Sequence, residues 1–159
     1  MAPNIWMTIF MEKIGYMINK SPIIIVDADA IIAQMSPQDN LHKRSVRIAQ
    51  KIKEVDALLL YPITTVTEVV TYVQRVLNSK EMSYELYSGF LRTNINLVEV
   101  NKEILYKSLK FSSLRTNKKN TIYDCVVAAV AKEHKADAIF SFDKFYKKQG
   151  LTLVEDYFK

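Results

Sequence analysis

Residues 23–32, Ile-Ile-Ile-Val-Asp-Ala-Asp-Ala-Ile-Ile, decide the fold. The apolar, β-branched run Ile23–Val26 has no polar alternation, which marks a strand buried on both faces, as in a parallel sheet. The run stops on Asp27, and a short helix follows near Ala30–Gln34. A buried strand end rarely tolerates an unpaired carboxylate, so Asp27 calls for a partner.

Outward from this stretch the same alternation recurs. Ala57–Tyr61, Ile95–Val100, Ala138–Phe142 and Leu151–Val154 read as further strands, five in all. Between them, Leu41–Val55, Thr65–Leu77, Tyr84–Leu91, Glu103–Leu114 and Ile122–His134 carry helical period, and Lys144–Lys148 a short helical turn. Such alternation predicts an α/β three-layer sandwich, a parallel five-stranded sheet with helices on both faces. No repeat or linker interrupts residues 22–159, which read as one domain. Residues 1–21 stand apart as an N-terminal extension, where Trp6, Phe10, Ile14 and Met17 follow the spacing of an amphipathic helix. Glu12 and Lys13 interrupt it and no basic leader precedes it, so a secretory signal is not expected. No stretch approaches the roughly 20 apolar residues a bilayer span requires, so no membrane association is expected.

Scarce residues exclude whole classes of chemistry. Glycine occurs only at 15, 89 and 150, so neither a dinucleotide fingerprint, nor a Walker A loop, nor a nucleophile elbow can be written. One cysteine, Cys125, and two histidines, His42 and His134, cannot furnish a Cys/His zinc cage or an intrachain disulfide. That usage fits a reducing, cytoplasmic setting. His42 and His134 read as surface or edge residues, and Cys125 as a small buried hydrophobe. Any metal must then be held mainly by carboxylates.

The acids sort by sheet edge. Ligands of open α/β sheets bind outside the carboxyl ends of the strands. Asp27 ends the first strand with Asp29 two residues on, Glu68 opens the helix after the second, Asp124 opens the helix before the fourth, and Asp143 follows the fourth. Asp56 and Asp137 precede strands and belong to the opposite edge. Clustered carboxylates raise one another's pKa unless a cation neutralises them. Oxygen-only ligands suit Mg²⁺ or Mn²⁺, and the implied chemistry is metal-assisted phosphoryl hydrolysis. Each acid also has a purely structural reading. Thr65–Glu68 and Thr121–Asp124 match the capping-box pattern, and Asp143 matches a helix N-cap.

The ordered set IIIVDADAII (23–32), TTVTEVV (64–70), TIYDCVVAAVA (121–131) and AIFSFDKFY (138–146) resembles the PIN-domain nucleases, particularly small VapC-type toxins. The resemblance spans about residues 22–157. It implies Mg²⁺- or Mn²⁺-dependent endoribonuclease activity, with Asp27, Glu68, Asp124 and Asp143 as the metal-site carboxylates and Ser141 helping to orient Asp143. It also implies an antitoxin partner and a homodimer. Ala28 and Asp29 stand where the family usually carries polar Thr/Ser and Asn/Ser, so Asp29 supplies either an extra carboxylate or a contact to a metal-bound water. Two other readings fit the same residues. Val26–Asp29 also fits the hydrophobic-D-x-D start of haloacid-dehalogenase-like phosphatases, with Asp27 as nucleophile and Asp29 as general acid. Alternatively, the acids are caps in a non-catalytic nucleic-acid-binding module.

The net charge is +5, and it is concentrated. Between Lys102 and Lys119 six basic residues stand against the single acid Glu103. That strip, with Lys107, Lys110, Lys118 and Lys119 at its centre, reads either as a solvated face or as a docking strip for RNA, joined by Lys144, Lys147 and Lys148. Tyr123 and Phe145 are candidates for stacking on an unpaired base or for core packing.

Overall fold

The computed structural model describes residues 21–112 and 120–159. Among them the strands are β1 (Ile23–Val26), β2 (Leu58–Pro62), β3 (Asn96–Val98) and β4 (Ala138–Phe140). The helices are α1 (Ala28–Met35), α2 (His42–Glu54), α3 (Ile63–Arg75), α4 (Lys80–Arg92), α5 (Lys102–Ser108), α6 (Ile122–Glu133), α7 (Phe145–Lys148) and α8 (Val154–Tyr157), with a 3-10 turn at Leu109–Phe111.

All pairings are parallel and the strand order is β3-β2-β1-β4. Ile24 faces Leu59 on β2 and Ala138 on β4, and Val26 faces Phe140. Alternate side chains of β1 therefore enter different layers. Ile24 and Val26 pack with Ala30, Ile48, Ile52 and Phe140, beneath α1 and α2. Ile25 packs with Leu60, Ile104, Ile139 and the Cys125–Ala131 stretch of α6, beneath α5 and α6. Every residue from Cys125 to Ala131 is buried. Its small Ala and Val side chains let α6 sit close against the sheet, and the free thiol of Cys125 lies in that layer.

The sandwich expected from the sequence is present, but the sheet has four strands rather than five. Leu151–Val154 contributes a single parallel bridge, Leu153 to Ile139, with Ile139 N–H donating to Thr152 at 2.8 Å. Pairing stops there because α8 begins at Val154, with Glu155 and Asp156 in its first turn. Acids favour that end of a helix dipole, so the chain coils where the apolar pattern suggests extension. Residues 1–20 of the extension and part of the basic strip, including Lys118 and Lys119, lie outside the described residues.

The order β3-β2-β1-β4 places a switch point between β1 and β4. The chain leaves β1 toward β2 on one side, and returns through α5 and α6 to β4 on the other. Open α/β sheets bind ligands in the crevice at such a point. Asp27 and Asp143 follow the two strands that flank it.

Candidate active site

Asp27 is the pivot. Its N–H continues the ladder by donating to Phe140 at 3.1 Å, so the backbone is still part of the sheet. Its side chain already caps α1, Oδ1 accepting from Ala28 N–H at 2.8 Å. One residue thus ends a strand and starts a helix, which places a carboxylate between sheet and helix with 5% of its surface exposed. Oδ2 accepts a 2.7 Å hydrogen bond from the hydroxyl of Tyr146 on α7.

Asp29, on the first turn of α1, binds the loop after β4. Its Oδ2 accepts from the Ser141 hydroxyl at 2.9 Å and from Phe142 N–H at 2.8 Å. Ser141 Oγ in turn accepts from Asp143 N–H at 3.1 Å. Ser141 thus contacts the Asp143 backbone, and Asp29 contacts Ser141 from the other side. Asp29 Oδ1 is buried with no hydrogen-bond partner among the described residues.

Asp143 itself accepts from Phe145 N–H through Oδ1 at 2.7 Å, closing the turn into α7. Its Oδ2 receives the amide of Asn120 at 3.4 Å. Asp124 sits in the first turn of α6, where Thr121 and Asp124 form a reciprocal capping box, Thr121 N–H donating to Oδ2 at 2.5 Å. The structural reading of Asp124 is thus realised in one oxygen. The corresponding box at Thr65–Glu68 is not formed. Helix α3 begins at Ile63, straight after Pro62, which leaves Glu68 in the second turn with no capping duty. Glu68 does not open its helix as expected; it lies half-buried along it.

The electrostatics show that these side chains share one environment. Burial is the main cause that pushes Asp27 up to about 8; the charge of Asp29 adds to it, and the Tyr146 and Ala28 donors oppose it. Burial also lifts Glu68 to about 7, aided by the charges of Asp124 and Asp29. Asp29 and Asp124 are raised as well, first by burial and further by the charge of Asp143. The main causes of these shifts are burial, neighbouring carboxylates and hydrogen-bond donors, with no described lysine or arginine among them. The opposite-edge assignments hold too: Asp137 accepts from Ile23 N–H at the far end of β1.

The donor chemistry fits a divalent cation. All the donors are hard oxygens, one of them is buried and unpartnered among the described residues, and no described lysine or arginine forms a salt bridge with these acids. Among the described residues no group of three Asp, Glu, His or Cys side chains is arranged to hold an ion by itself.

Other expectations resolve individually. Phe145 is buried at 4% and belongs to the core, whereas Tyr123, next to Asp124, is 39% exposed. Lys107 is held by Glu103 at 2.7 Å and Glu133 at 2.6 Å, so the strip is partly neutralised there, while Lys110 is exposed. His42 bonds the Ala33 carbonyl and His134 is exposed; neither joins the acids. A cavity of about 270 Å³ lined by Val26, Ile31, Met35, Tyr61 and Phe90 touches none of the five acids. Tyr146 and Asn120 escape sequence reasoning. The available signal for Tyr146 is a phenol three residues beyond Asp143 in a buried stretch, where a hydroxyl must find a partner.

Comparison with known proteins agrees with this fold. The PIN domain family model matches residues 24–150. Among solved structures, the chain is similar to Mycobacterium tuberculosis VapC20, a sarcin–ricin-loop-cleaving toxin, at 14% identity and TM-score 0.67, over 81% of this chain and 96% of that one. FitAcB from Neisseria gonorrhoeae aligns at 18% identity and TM-score 0.59, over 82% and 95%. VapBC2 from Rickettsia felis, bound to a DNA fragment from their promoter, aligns at 12% identity and TM-score 0.53, over 82% and 96%. No curated protein matches by sequence.

Proposed function

The chain belongs to the PIN domain family, and from that membership and its acidic sheet edge we propose that it is a Mg²⁺- or Mn²⁺-dependent endoribonuclease of the VapC toxin type. The observation that carries this reading is the gathering of Asp27, Asp29, Glu68, Asp124 and Asp143 at one switch point, with raised pKa values where resolved and no salt-bridged counterion among the described residues. Asp27, Asp124 and Asp143 would hold the cation, and Glu68 would complete the shell or orient the attacking water. The cation, when bound, offsets the negative charge that builds on the scissile phosphate. Asp29 holds the Asp143 loop through Ser141 and Phe142.

RNA is the proposed substrate. The sarcin–ricin-loop cleavage attributed to VapC20 supports this class of substrate without naming the target here. The exposed Lys110 and Lys144 supply cations for the phosphate backbone, and Tyr123 offers a face for an unpaired base. Lys118 and Lys119 extend the same strip in sequence. An antitoxin and a second copy of the chain are the proposed protein partners. Exposed apolar side chains on the α3–α4 hairpin, Val76, Leu77, Met82, Tyr84 and Leu91, give such partners a surface to cover. Among the described residues no helix is long and apolar enough to cross a membrane.

The PIN family model over residues 24–150 favours the nuclease over the phosphatase reading, in which Asp29 would act as general acid. Asp29 Oδ2 accepts from two donors on the β4–α7 loop, a positioning role that the nuclease reading uses directly. The test is cleavage of single-stranded and hairpin RNA by wild type and Asp27→Asn, with Mg²⁺, with Mn²⁺ and with chelator. Cleavage that needs the ion and vanishes in Asp27→Asn supports the proposal; cleavage undiminished in Asp27→Asn overturns it. RNA binding without any Mn²⁺ binding would instead identify a non-catalytic module.

A further inference from the structure

Tyr146 is wholly buried, yet it carries a polar atom that a phenylalanine of the same shape would lack. Its ring packs edge-on against Phe145 with centroids 5.3 Å apart, inside the layer that contains Val127 and Ile139. Packing alone therefore explains the ring and leaves the hydroxyl unexplained. Among the described residues the hydroxyl has one partner, Asp27 Oδ2, at 2.7 Å and 119 positions away in sequence.

We propose that Tyr146 is a positioning residue, its hydroxyl fixing the orientation of the Asp27 carboxylate toward the divalent cation. This rests on the reading of Asp27 as a cation ligand. The carboxylate is gripped from two elements at once, Oδ1 by the Ala28 N–H that opens α1 and Oδ2 by the phenol on α7. Rotation about its Cβ–Cγ bond breaks one grip or both. Each oxygen still has a lone pair left over, so the two hydrogen bonds set direction without using up the donor capacity. Ligating carboxylates are themselves hydrogen-bonded, and losing such a support lowers metal affinity.

The same short helix serves both acids at the switch point. Asp143 Oδ1 accepts from Phe145 N–H at the start of α7, and one residue later Tyr146 reaches across to Asp27. A helix of four residues thus ties the acid after β4 to the acid after β1.

Tyr146→Phe removes a single oxygen and keeps the packing. In isothermal titration with Mn²⁺ on chelator-treated protein, the variant is expected to bind about tenfold more weakly than wild type or worse. Its RNA affinity in chelator should stay unchanged. Asp27→Asn serves as the reference and should lose Mn²⁺ binding. If Asp27→Asn loses it while Tyr146→Phe binds as wild type does, the positioning role is overturned and the site reading stands. If Asp27→Asn binds Mn²⁺ normally, the site reading fails and takes the positioning role with it. A second measurement needs no variant: the ¹³Cζ resonance of Tyr146, which reports its hydroxyl hydrogen bond, should move during a Mg²⁺ titration of the wild-type protein. A resonance that stays fixed while Mg²⁺ binds overturns the proposal.

Discussion

Two groups of acids in this molecule live under opposite regimes. At the C-terminal corner, Glu155 is paired with Arg44, and Asp156 is held by Lys147 at 2.8 Å and Lys159 at 2.6 Å. Those cations hold Glu155 below the usual carboxylate range and bring Asp156 to about 2. At the carboxyl edge, burial and mutual repulsion push Asp27 to about 8 and Glu68 to about 7. The sequence has 22 basic residues, so cations are not scarce. Among the described residues none of them forms a salt bridge at the edge where the acids are most buried. Structural acids are given partners; the edge acids are left with a charge that an external cation can neutralise.

The sharpest way to break this contrast is to remove one edge charge. Asp27→Asn is expected to lower ion-dependent RNA cleavage by a hundredfold or more, beyond the usual cost of losing a supporting residue. Above about pH 8, where Asp27 is ionised, the metal-free variant should melt no lower than wild type, because a buried charge has been removed. A variant that melts much lower would show Asp27 to be chiefly a structural cap.

The next effect is on pH dependence, and its sign differs between the regions. A carboxyl raised by folding holds a proton that the unfolded chain releases, so its stability contribution is full below about pH 4 and is lost as pH rises through the folded value. In chelator, thermal stability should therefore fall between pH 5 and 8, the window set by Glu68 and Asp27. Mg²⁺ at a hundred times its Kd should restore about 2.7 kcal/mol at the upper end. The corner acids act in reverse: their contribution is present above the unfolded pKa and fades as pH drops toward about 2. A flat profile from pH 5 to 8 in chelator would contradict the repulsion at the edge.

The smallest effect belongs to the corner. Arg44→Ala should cost at most about 1 kcal/mol, the range for partly exposed ion pairs, read from urea melts. RNA cleavage should not change. A larger loss would mean that the stacking of Arg44 over Phe142, 5.2 Å from the ring centroid, steadies the Asp143 loop.

Much of this arrangement can be read from the sequence because it depends on local pattern. Ile23–Val26 is apolar throughout, so β1 is legible as central, and an acid directly after such a strand has only one edge to occupy. The placements of Asp124 and Asp143 follow from the same logic. The failures come where two local signals compete. Thr65–Glu68 satisfies the capping-box pattern, but Pro62 has already fixed the chain for helix entry, and α3 starts at Ile63. Leu151–Val154 is apolar enough for a strand, but the acids behind it favour a helix start at Val154. Tyr146 was illegible for a different reason. Its role depends on a hydrogen bond across 119 positions, and no local pattern encodes that distance.

The bond from Asp29 to Ser141 and Phe142 has one more consequence. It joins the first helical turn of the domain to a loop 112 residues later, so an early segment serves as the mounting bracket for a late one. During synthesis the carboxylates at 27 and 29 emerge long before the loop that carries Asp143. The bracket can close only after α6 and β4 have been added. Until then the nascent chain lacks the assembled edge, so any chemistry that needs these acids together must wait until β4 and the loop after it have been made.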